Sequence, residues 1–179
     1  VLQQVAPPEV LYADPDNVFV AAFIGSPSMN LYEGTIVEKG DGHAVQFGAH
    51  TLAMDESVLA KRPALRGHVG APLVMGIRPE DIDDASVVPD HPADQQLDVT
   101  IDVREALGAE TLMHFGLEAT MVDSGDPDAL DELGDENESR CTARCSSTTT
   151  ARPGDQLRIN VTTSNLHFFD KTTHLAIRS

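Results

Sequence analysis

From Leu31 onward the chain alternates apolar and polar positions in short runs. Leu97, Val99, Ile101 and Val103 fall on one side while Asp98, Thr100 and Asp102 fall on the other. Leu157, Ile159 and Val161 repeat the pattern against Gln156, Arg158 and Asn160. A period of two marks a half-buried strand. Further strands are expected at 32–37, 43–47, 74–78, 111–122, 140–146 and 174–178, with turns at Gly40-Asp41-Gly42, Gly48 and Pro153-Gly154-Asp155. Many short strands punctuated by glycine turns predict an all-β fold of small barrels or a sandwich, not a parallel sheet layered with helices.

The first thirty residues follow a helical rhythm instead. Pro7 and Pro8 open a helical turn through Tyr12, since a first helical position does not need the N–H that proline lacks. Asp14 resembles an N-cap with Pro15 in the first turn, and Val18, Phe19, Ala22 and Phe23 share one helical face before Gly25 ends the run.

Composition adds one strong signal. Among 179 residues, 29 acidic side chains stand against 12 basic ones, for a net charge of -17. Only Lys39, Lys61 and Lys171 are lysines. Such a surface repels itself in dilute buffer, and the repulsion nearly vanishes in molar salt, where the screening length is roughly 3 Å. The acidic excess is spread along the chain, which points to a saline cytoplasm; a basic partner facing an acidic surface is the alternative. Nucleic-acid binding is disfavoured, because Lys61, Arg62 and Arg66 form the one loose basic group and phosphate backbones need clustered cations. The longest apolar run, 18–24, is far short of the roughly 18 residues that span a bilayer, so direct membrane insertion is not expected.

Candidate chemistry is sparse. Cys141 and Cys145 share a face if extended but stand about 13 Å apart, beyond disulfide reach, and they lack a second pair for zinc. They are expected to be reduced, partly buried thiols. The seven histidines show no metal spacing, and His114 and His167 read as structural residues within strands. The acidic stretch 126–138, within a long loop at 123–139, lacks the alternating ligands and central glycine of a calcium loop. No nucleophile elbow appears, and carboxylates are too common for proximity to nominate a general acid.

Three landmarks remain: Gly76-Ile77-Arg78-Pro79-Glu80, then Glu105-Ala106-Leu107-Gly108-Ala109-Glu110, then Leu166-His167-Phe168-Phe169-Asp170. In this order they resemble the regulatory region of the ATP-hydrolysing subunits of maltose-type and multiple-sugar importers of the ATP-binding cassette class. Leu2-Gln3-Gln4-Val5, Glu9, Tyr12, Pro15, Asn17 and Phe23-Ile24-Gly25-Ser26-Pro27 resemble the end of the ATPase lobe before that region. The resemblance implies a short remnant of the ATPase lobe at 1–30 and a regulatory region at 31–179, folded as two interleaved barrels of the oligonucleotide-binding (OB) type. The sequence has neither Gly, four residues, Gly-Lys-Ser/Thr nor a Leu-Ser-Gly-Gly-Gln-like string, so this chain is expected to be a fragment that does not hydrolyse ATP by itself. ATP and magnesium would be bound by the absent lobe, and no cofactor is expected here.

The same resemblance implies a homodimer attached to membrane-spanning permease subunits on the cytoplasmic side. It makes Gly76, Arg78, Pro79, Glu80, His167, Phe168, Phe169 and Asp170 candidates for regulatory or dimer contacts. Val18, Phe19, Phe23, Met29 and Asn30 become candidates for contact with the ATPase lobe. Arg78 alternatively reads as a structural corner paired with a nearby carboxylate. Adjacent Phe168 and Phe169 point to opposite faces of a strand, so one of them needs a second apolar surface, which the family suggests is another barrel or subunit. Thr173 stands where the family usually has glycine. A stand-alone module binding molybdate-like oxyanions is the alternative function.

Overall fold

The structure, a computed structural model, describes residues 2–124 and 139–178. The acidic loop expected at 123–139 lies almost wholly outside the described residues. Among the described residues, ten strands form two antiparallel sheets. The first has the order β10-β4-β1-β2-β3, built from β1 (Asn30–Lys39), β2 (Gly42–Phe47), β3 (His50–Ala53), β4 (Pro72–Ile77) and β10 (His167–Asp170). The second has the order β5-β9-β6-β7-β8, built from β5 (Ile82–Asp84), β6 (Gln96–Ala106), β7 (Glu110–Leu117), β8 (Ser139–Ser146) and β9 (Gln156–Val161). The edges of the second sheet meet where the Ser146 amide donates to Asp83 Oδ1 at 3.3 Å, which nearly closes a barrel. The first sheet stays open. Because β10 returns from the end of the chain to pair with β4, early and late segments interleave as the resemblance implies.

One continuous apolar core runs through both sheets, from Tyr32, Phe47 and Leu52 to Phe115, Ile159 and Phe168. A second cluster lies on the outer face of the first sheet, where helix α2 (Val18–Phe23) packs Val18, Ala21 and Ala22 against Met29, Leu31, Val74 and Phe169. With both faces covered, β4 reads as an unbroken buried run from Leu73 to Ile77. Helix α1 (Pro8–Ala13) buries no residue at all.

Several expectations need correction. Asp14 does not cap α2; it is the C-cap of α1, and Asn17 caps α2 by accepting from the Val20 amide at 2.9 Å. The stripe Val18, Phe19, Ala22, Phe23 is divided, with Val18 and Ala22 buried and Phe23 62% exposed. A register shift between Ile101 and Val103 turns Val103 outward, as an extra residue in a period-two pattern must. The strand expected at 111–122 ends at Leu117, and the following residues cross to β1, where the Glu33 amide donates to Thr120 O at 2.9 Å and the Val122 amide to Leu31 O at 3.0 Å. Gly48, with φ of 53°, allows that crossing, since a Cβ there would lie 1.8 Å from Glu118 O. Residues 174–178 form isolated bridges to Asn17 and Phe169, not a strand. Helix α3 (Glu56–Lys61), β3 and β5 have no counterpart in the sequence reading.

Candidate functional site

Strand β4 ends at Ile77, and Arg78 leaves it extended, at φ -69° and ψ 144°, as a residue before proline does. Pro79 then opens the 3₁₀ turn Pro79–Asp81. Arg78 is 2% exposed. Its Nη1 donates to Ile24 O at 2.6 Å and to Ala21 O at 3.3 Å, and its Nη2 donates to Tyr12 O at 2.6 Å. The guanidinium also lies over the Tyr12 ring, 3.9 Å from its centroid. Its partners are backbone carbonyls and an aromatic face, not the carboxylate expected for a structural corner. Those carbonyls end α1 and α2, where helical bonding leaves oxygens without partners. One buried cation therefore closes two short helices.

The surroundings of Arg78 are tuned to it. Burial pushes its pKa down, while Tyr12, Glu80 and Asp81 act in the opposite direction. The Tyr12 hydroxyl donates to the Glu80 carboxylate, and burial, that bond and the Glu80 charge push the phenol up to about 12. Gly25 passes close by at φ 128°, and an added Cβ would lie 3.2 Å from Arg78 Nη1. Gly76 serves the same corner differently, because a Cβ there would lie 2.3 Å from Met29 Sδ.

Strand β10 supplies the other candidates. Phe168 enters the main core and Phe169 the outer cluster, so the adjacent rings do face opposite ways. The second surface is α2 of the same chain, not another barrel or subunit. His167 is buried, and burial together with the charges of Arg62 and Arg78 pushes its pKa down to about 3. Asp170 accepts from the Thr172 and Thr173 amides at 3.0 and 2.7 Å and from Thr173 Oγ1 at 2.9 Å, contacts that hold its carboxyl below the usual range. The left-handed residue of this turn is His174, at φ 58°, so Thr173 needs no glycine-like backbone.

Of the candidates for lobe contact, three are taken up inside the chain. Val18 is fully buried, and Met29 packs on Gly76. Asn30 ties the two sheets together: its Nδ2 donates to Ile77 O at 3.1 Å and Thr142 O at 2.9 Å, and the Thr142 amide donates to its Oδ1 at 2.8 Å. Of the other two, Phe23 is exposed and Phe19 half-buried, the rings stacked on each other at 5.9 Å. Sequence reasoning missed Tyr12 as the partner of Arg78 and Asn30 as an inter-sheet tie, because neither contact has a local pattern.

Elsewhere, a polar cleft runs along β6, β7 and β9 beside His50, lined by Asp98, Asp102, Glu118 and Arg158. Arg158 is already engaged by Asp98, with Nε to Oδ1 at 2.8 Å and Nη2 to Oδ2 at 3.1 Å. The cleft is therefore acidic. Cys141 and Cys145 are buried free thiols, both pushed up to about 12 by burial. Among the described residues no cluster of three or more His, Cys, Asp or Glu is placed to hold a metal, and no helix is long and apolar enough to cross a membrane.

Residues 25–82, which run from Gly25 through β4 and the Pro79–Asp81 turn, match the family model for the MalK OB fold domain. This segment is similar to a MalK-type OB fold domain. Beyond that domain, the whole chain is similar to ATP-binding subunits of sugar importers. It is 34% identical over 177 residues to the multiple sugar-binding transport ATP-binding protein MsmK of Streptococcus mutans, covering 99% of this chain and 41% of that protein. It is 31% identical over 179 residues to the oligosaccharides import ATP-binding protein MsmX of Bacillus subtilis, covering 99% and 42%. The trehalose/maltose import ATP-binding protein MalK of Thermococcus litoralis is 32% identical over 179 residues, again with 99% and 42% covered. The chain thus spans about two fifths of the length of these relatives. Among solved structures, the molybdate-binding protein ModG matches with a TM-score of 0.48 and 15% identity over 78% of this chain and 94% of that one, too slight a likeness to carry an argument. Arg78 lies within the matched OB fold domain, while Tyr12, Ala21 and Ile24 lie before it. The cradle is the place where the domain grips the preceding segment.

Proposed function

We propose that this chain is the regulatory and dimerising region of the ATP-binding subunit of a carbohydrate importer, adapted to a saline cytoplasm. The observation that carries this reading is the similarity along 99% of the chain, helices and both sheets included, to MsmK and its kin. In this role the region binds a second copy of itself and keeps two catalytic lobes at high effective concentration while they close around ATP and magnesium and reopen. Catalysis belongs to those lobes, and permease subunits anchor the assembly at the cytoplasmic face of the membrane. Phe19 and Phe23, the stacked pair on α2, are the side chains offered to the lobe. The oxyanion-binding alternative gains no support from the polar cleft, whose carboxylates repel anions.

Sedimentation velocity of the chain in molar KCl, over a wide concentration range, tests the dimerising role. A reversible monomer–dimer equilibrium is expected. A species that stays monomeric at the highest attainable concentration would overturn self-association by this region and return the dimer contact to the catalytic lobe.

A further inference from the structure

Helices α1 and α2 have six residues each, too short to persist without tertiary support. Their supports differ. Helix α2 is held by apolar burial of Val18, Ala21 and Ala22 against Val74 and Phe169. Helix α1 has no fully buried residue, only Leu11 and Tyr12 half-buried, so polar contacts carry much of its attachment. One set comes from Arg178, whose Nε and Nη2 donate to Asp14 Oδ1 at 3.0 Å and Asp14 O at 2.8 Å, while Nη1 donates to Asp16 Oδ1 at 2.7 Å. These ion pairs are solvent-exposed and are screened in molar salt. The other set is the Arg78 cradle, which is closed to solvent and so escapes that screening, with the Tyr12 hydroxyl donating to Glu80 beside it.

We propose that Arg78 is a positioning residue that locks α1 and α2 to the end of β4 as one rigid joint. It acts through the carbonyls of Tyr12, Ala21 and Ile24 and through the Tyr12 ring. The chain entering at Pro7 and Pro8 thereby keeps a fixed direction relative to the sheets, even at salt concentrations that loosen the outer ion pairs. A carboxylate partner would serve one helix. Carbonyls from two helices make a single cation answerable for both, and the planar fork of arginine can donate to them while stacking on the ring, which lysine cannot do. That the joint orients a catalytic lobe rests on the function proposed above; the joint itself does not.

Paired spin labels test it. Val10→Cys on α1 and Leu107→Cys at the tip of the β6–β7 hairpin are both at exposed positions, 45% and 55%, and the native thiols are buried and protonated, so labelling is selective. In molar KCl, with the doubly labelled chain diluted into an excess of unlabelled chain so that label pairs between copies drop out, a single narrow distance between the labels is expected with Arg78 intact. Arg78→Gln and Arg78→Lys should broaden it or add a second distance while the melting of the sheets persists. A narrow distribution unchanged in Arg78→Gln would overturn the proposal. Should Arg78→Gln not fold, hydrogen exchange on the otherwise unsubstituted chain decides. The Asp14 amide, bonded to Val10 O, and the Ile24 amide, bonded to Val20 O, should then open together. Much faster exchange at Asp14 than at Ile24 would show that α1 is held independently and would sink the idea. Neither readout depends on dimerisation, so this joint and the importer reading can fail separately.

Discussion

In a chain of net charge -17, the corner around β10 is unusual because three basic side chains meet there in partial or full burial. Arg62 donates to Leu166 O at 2.6 Å, Arg78 fills its cradle, and His167 lies near both. Burial and the two positive neighbours keep His167 neutral, with a pKa pushed down to about 3. The unfolded chain, with an ordinary value near 6.5, binds the proton more readily than the folded one. The stabilisation is therefore complete above about pH 6.5 and is lost as pH falls from there towards 3, with a slope approaching about 1.4 kcal/mol per pH unit. His167→Gln should reduce this loss, leaving the part that comes from His50, whose pKa burial also pushes down. Urea denaturation of both proteins between about pH 6.5 and pH 4.5 checks it, a window above the range where the depressed carboxyls of Asp55, Asp98 and Asp170 begin to matter. Parallel stability curves for the two proteins would refute the assignment.

At the scale of elements, the strands that alternate apolar and polar positions were legible because a half-solvated strand writes its two faces into the sequence. β6 is of this kind, and so is β9 as far as Ile159, beyond which Asn160 is buried with its neighbours. Short pieces escaped. β5 has three residues and β3 four, too few for a period to register, and α3 is a single turn and a half set by its Asp55 cap. Pro15 drew the start of α2 three residues early, whereas Asn17, immediately before the apolar stripe, is the cap. The two phenylalanines were read correctly as facing apart, yet nothing local says that the second surface is α2. Asn30 shows the same limit most plainly, since its three bonds reach residues 47 and 112 positions away. Asn30→Ala should leave a buried amide and two carbonyls short of partners and cost about 1–3 kcal/mol. It should also speed hydrogen exchange at the Thr142 amide. A change in stability within error would mean that water substitutes for the side chain and that the sheets are held together by their shared core alone.

For the whole molecule the decisive quantity is charge. The described ion pairs are few and exposed, among them Lys39 with Asp94 and Lys171 with Glu33, and pairs of that kind add little to stability. Most carboxylates thus act on one another through solvent. Their repulsion favours the expanded chain and weakens as the screening length falls from about 10 Å at 0.1 M salt to about 3 Å at 1 M. The melting temperature should therefore climb steeply as KCl is raised to about 1 M and then level off, because little repulsion is left to screen. Exclusion of salt from apolar surface has a different signature, a rise that continues through several molar and is stronger in sulfate than in chloride at equal ionic strength. The buried contacts of Arg78 and Asn30 belong to neither class and should persist across the range. A melting temperature indifferent to KCl would remove the saline adaptation from the proposal and leave the acidic surface to be explained by a basic partner.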